Sequence, residues 1–98
     1  MINDKILEEL ESISGEFLVK LRMLDGFDDS LFQSLCSTIS RCGLEWKEQD
    51  SIPKLAASIF MDGYAAMVSS ADQYPEKEKG RILMEADKMA DLMRECLE

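Results

Sequence analysis

The pattern of the 98 residues predicts an all-α fold, a four-helix antiparallel, bundle-like single domain. Three observations carry this reading. Apolar residues recur at spacings of three and four along four separate stretches, and no stretch alternates as a half-buried strand would. Each stretch is bounded by glycine, proline or aspartate, residues that start or stop helices. The first connection is short, which makes the helices it joins antiparallel neighbours. Helices are expected over about residues 3–25, 29–42, 51–73 and 75–97, within one domain covering residues 1–98.

In the first stretch, Ile6, Leu10, Ile13, Phe17, Leu21 and Leu24 fall on one face, widened by Leu7 and Leu18. Asn3 or Asp4 is placed to cap its start, and Gly26 to take the left-handed position after its end. Gly15 costs a helix interior about 1 kcal/mol relative to alanine, which predicts a close helix crossing there. Asp28 or Asp29 then caps the second helix, whose stripe is Leu31, Phe32, Leu35, Cys36 and Ile39. Gly43 is read as its terminator, and Leu44 to Asp50 as a loop holding at most one helical turn.

The third helix is expected to begin at a cap on Asp50 or Ser51, with Pro53 in its first turn. One face carries Ile52, Leu55, Ala56, Ile59, Phe60, Gly63 and Met67; beside it lies a second apolar set, Ala57, Met61, Tyr64 and Val68. A helix apolar on this many sides exceeds what a small bundle needs to cover its core. Tyr74-Pro75 breaks the chain, and Ile82, Ala86, Met89, Met93 and Cys96 set the inner face of the fourth helix.

Composition narrows function. The balance of 20 acidic against 11 basic residues gives a net charge of −9, spread along the chain rather than gathered in a tail. Such a field repels nucleic acid and anionic membrane and favours a basic protein partner, although it also serves plain solubility. No apolar run reaches the roughly 18 residues of a membrane span, and residues 1–5 lack the basic and apolar regions of a signal peptide. A cytoplasmic location is expected. Three cysteines without CxxC spacing predict neither a disulfide framework nor a zinc site. Cys36 and Cys96 read as small core side chains, and Cys42, at a helix end, as the more exposed thiol.

The chain has no histidine, and with it go the commonest general base and metal ligand. It has no glycine-rich phosphate loop and no EF-hand spacing. Carboxylate chemistry would have to use Asp62, the Asp28-Asp29 pair, or Glu85 with Asp91; Asp62 interrupts an apolar region beside Gly63, but on helical spacing it reads as a solvated position on a narrow polar strip with Ser58 and Ser69. The expectation is therefore a non-enzymatic protein-binding module with no catalytic residues, no cofactor and no metal. Its candidate partner-binding residues are Trp46 with Glu45 and Glu48 around it, the Met61, Tyr64 and Val68 face, and Tyr74. Each has a structural alternative. Trp46 can fold back to close the open end of a bundle, and the Tyr64 face can be buried against the first helix.

The Asp72-Gln73-Tyr74-Pro75 corner is similar over its four residues to the acidic tyrosine-proline corner of the colicin nuclease immunity proteins. The chain departs from that family in having a single tyrosine there and a long third helix in place of a short one. A small acidic bacterial immunity protein or inhibitor, neutralising a basic toxin or effector, is the leading expectation. The alternative is a structural or adaptor protein forming a homodimer or larger homo-oligomer through the third helix.

Overall fold

A computed structural model describes residues 4–97 and resolves the periodic stretches into α1 (Asp4–Arg22), α2 (Asp29–Trp46), α3 (Lys54–Ala71) and α4 (Glu76–Cys96). Among the described residues there is no strand. The capping expected of Asn3 or the Asp4 side chain falls outside that description. Consecutive helices alternate in direction. The α1–α2 hairpin packs against the α3–α4 hairpin so that α1 touches α2 and α3, and α4 touches α2 and α3. The connection at residues 47–53 therefore crosses the diagonal of the bundle, and the lateral neighbours α1/α3 and α2/α4 run parallel. Contacts at both ends agree: Arg81 at the start of α4 pairs with Asp29 at the start of α2, and Cys96 Sγ lies 3.4 Å from the Ile39 carbonyl near the end of α2.

The four inner faces meet in one core. Ile6, Leu10, Phe17, Leu18 and Leu21 from α1 pack with Phe32, Leu35, Ile39 and Cys42 from α2, Ala56, Phe60 and Met67 from α3, and Ile82, Ala86 and Met89 from α4. Aromatic rings close one end. Phe17, Phe27 and Phe32 stack mutually with centroids 5.0–5.4 Å apart, and the Arg81 guanidinium lies 4.7 Å over the Phe27 ring. At the same end the Tyr74 hydroxyl donates to the Leu21 carbonyl (2.8 Å) and accepts from the Gly26 N–H (3.3 Å).

Helix termini account for most departures from expectation. α1 stops at Arg22, three residues early, in a Schellman turn: the Asp25 N–H reaches the Lys20 carbonyl and the Leu24 N–H the Leu21 carbonyl. Leu24, not Gly26, is thus the left-handed residue closing the helix (φ 62°), and Gly26 (φ 99°) shapes the connection beyond it. At α2, Asp28 is the cap, accepting from the Leu31 N–H at 3.0 Å. Gly43 does not end α2. The helix runs on to Trp46, because continuing it places Cys42 and Trp46 in the core beyond Ile39. Gly43 instead marks a close approach, since a Cβ there would sit 3.4 Å from Cys96 Sγ and 3.9 Å from its Cα. Gly15 marks none, with nothing within 4 Å of its missing Cβ. α3 starts at Lys54 after Pro53, without the side-chain cap expected of Asp50 or Ser51.

Candidate protein-binding face

Trp46 ends α2 pointing inward and is 1% exposed, so no partner reaches it in the folded monomer. This corrects its reading as an anchor: it is the side chain that closes the second end of the bundle. The balance of magnitudes explains the placement. A tryptophan removes about 150–250 Å² from water, worth about 4–6 kcal/mol at 25 cal/mol per Å². Its indole N–H has no hydrogen-bond partner among the described residues, a cost of only about 1–3 kcal/mol. Glu45 and Glu48 remain on the surface, without an exposed indole between them.

Tyr74 is also structural. Its ring is half-buried against the core and both hydrogen-bonding capacities of its hydroxyl are used within the chain, so the tyrosine-proline corner presents no free phenol.

The α3 face remains. Met61 is 75% exposed, Tyr64 is 38% exposed and Val68 is half-buried. These residues, at spacings of three and four, line the flank of α3 that turns toward α4, not the flank against α1. The Tyr64 hydroxyl donates to Asp87 of α4 at 3.3 Å, which holds the ring at the seam between the helices. Gly63, one residue away, faces inward, where a Cβ would meet the Met89 and Met93 methyl groups at 3.9 Å. Of the five methionines on α3 and α4, Met67, Met89 and Met93 are core, and only Met61 and Met84 are exposed.

Asp87 is an exposed carboxylate at the edge of this face, bound to the Tyr64 hydroxyl, and on α4 Lys88 is paired with Glu85 and Arg94 with Asp91. The other carboxylates that might have supported chemistry are engaged elsewhere. Asp28 caps α2 and binds Lys20 at 2.9 Å; the Leu31 N–H and then Lys20 hold its pKa below the ordinary 3.8. Asp29 pairs with Arg81. Asp62 lines an open groove of about 490 Å³ between α1 and α3, with Arg22, Ala65, Ala66, Ser69 and Ser70. Among the described residues no group of three or more His, Cys, Asp or Glu is placed to hold a metal ion.

Cys42 is fully buried, contrary to the exposure expected of it, because α2 does not end beside it. Burial pushes its thiol up to about 12, and those of Cys36 and Cys96 to about 11. At neutral pH all three are thiols, not nucleophilic thiolates.

A second surface feature has no counterpart in the residues singled out from sequence. Between the C-terminal ends of α2 and α4 lies an open groove of about 390 Å³, lined by Ile39, Gly43, Leu44, Lys47, Leu92 and Glu95 among others. Ending α2 at Cys42 hid it; the spacing Ile39, Cys42, Trp46 was the signal that the helix continues. Among the described residues no helix is long and apolar enough to cross a membrane. Comparison of the chain with protein-family models, with curated proteins and with solved structures finds no match.

Proposed function

We propose that the chain is a non-enzymatic binding module that captures a basic protein, in the manner of a small acidic bacterial immunity protein or inhibitor that neutralises a basic toxin or effector. The observation that supports this is the Met61–Tyr64–Val68 strip, apolar and outward, with the exposed Asp87 carboxylate at its edge. An apolar strip gives contact area. A carboxylate at its edge gives register and selects a cationic group on the partner, and the net charge of −9 speeds the encounter. Self-association through the same strip is less well served, since it would bring the Asp87 carboxylates of two copies together while Lys88 and Arg94 are already paired.

The test compares the native chain with Tyr64→Glu and Asp87→Lys as immobilised baits in native lysate at low and high salt. A basic protein should be retained by the native chain, released as salt rises, and lost from both variants while their helical circular dichroism is unchanged. Retention of the same proteins by all three baits, or retention indifferent to salt, refutes the reading.

A further inference from the structure

We infer that the groove between the C-terminal ends of α2 and α4 is a self-complementary surface, and that it takes a second copy of this chain in a two-fold dimer. The α3 face plays no part in this contact, so the inference does not rest on the partner proposed above.

A two-fold interface needs a projection and a recess side by side on one surface, because each copy supplies both. The groove has them. Its floor lies at Gly43, where no Cβ intervenes over Cys96, and the half-buried Leu92 forms an apolar wall. On its rim stands Leu44, 74% exposed and one of the two most exposed large apolar side chains on α2, α3 or α4, with Met61. Beyond the groove Leu97 adds a further apolar surface, 64% exposed.

Charge supplies the second condition. Lys47, the residue that caps the end of α2, and Glu95 on α4 line opposite sides of the groove, and neither is in an ion pair among the described residues. Their positions suit an exchange between copies. Gly43 is level with Cys96, so Glu95 lies near the level of Cys42 and Gly43. Lys47 lies about 6 Å further along α2, at 1.5 Å per residue. A two-fold axis crossing α2 near Leu44 and Glu45 carries Lys47 of one copy to the level of Glu95 of the other, twice, and sets each Leu44 over the partner copy's groove.

The experiment is sedimentation velocity on the native chain and four variants: Leu44→Glu, Lys47→Glu, Glu95→Lys, and the last two combined. The native chain should show a reversible dimer that persists or strengthens as salt screens the repulsion between two acidic copies. Leu44→Glu should raise the dissociation constant at least about tenfold, since it removes the projecting apolar contact. Each single charge reversal should weaken the dimer about two- to fivefold, and the double reversal should restore it. The substituted side chains lie at the surface, and circular dichroism confirms that the helices persist. A native chain that stays monomeric to about 1 mM overturns the inference. So does a dimer that Leu44→Glu leaves intact, or a double reversal that fails to restore what the single changes lose. Loss of the basic partner without loss of the dimer sinks only the preceding proposal, and the converse outcome sinks only this one.

Discussion

Leu24 holds a left-handed conformation (φ 62°) that costs a residue with a Cβ roughly 1–2 kcal/mol, and it is 54% exposed, so core packing offsets little of that cost. The Schellman turn requires some residue at this position. The glycine that would fit stands two places later, where the connection into α2 needs a left-handed residue of its own. Leu24→Gly should therefore stabilise the fold by about 0.5–1 kcal/mol, the relief of strain less the greater freedom of glycine in the unfolded chain. Urea unfolding followed by circular dichroism measures it. A destabilised variant would show that the exposed leucine contributes packing that outweighs its backbone strain.

Among the elements, the two hairpins depend on a few specific ties where the connections meet. Tyr74, just beyond α3, joins the last turn of α1 to the α1–α2 connection through one hydroxyl. This is why the chain turns at Tyr74-Pro75 with the ring inward. Tyr74→Phe keeps the ring and removes only the hydroxyl, and it should lower stability by about 1–2 kcal/mol. A change below a few tenths of a kcal/mol in the same unfolding measurement would mean that water replaces the lost partners and that the tie is not structural. Asp28 makes a comparable tie on the other side of this end, capping α2 while binding Lys20 of α1.

On the scale of the whole molecule, the bundle is 43 Å long and about 20 Å across, and both ends are closed by aromatic side chains. The Phe17–Phe27–Phe32 cluster and Tyr74 close one end, and Trp46 alone among the aromatic residues closes the other, beside Cys42 and Cys96. Trp46→Ala should accordingly cost about 3–5 kcal/mol and lower the melting temperature by tens of degrees or unfold the chain outright. A loss under about 1 kcal/mol by thermal or urea unfolding would return Trp46 to the surface as a contact residue. Two of the surface faces left free by this arrangement, the α3 strip and the α2/α4 groove, lie on different sides of α4.

Helix number and fold class were legible in the chain, because a helix declares itself through contacts within a few residues. The stripes Ile6-Leu10-Phe17-Leu21 and Ile82-Ala86-Met89-Met93, and the breaks at Asp28 and Pro75, are all local signals. The excess of apolar residues on α3 was legible for the same reason, but their spacing left open whether Met61 and Tyr64 face outward or are buried against α1. Tertiary contacts decided the rest. Gly43 weakens a helix by about 1 kcal/mol, but burying Cys42 and Trp46 is worth several times that, so α2 continues through it and the groove comes into being. Likewise no local pattern reveals that residues 47–53 cross the diagonal. That crossing puts α4, not α1, beside Tyr64 and brings Glu95 across from Lys47. Pairings of this kind depend on how whole faces fit together, and a side chain's immediate neighbours in sequence do not record it.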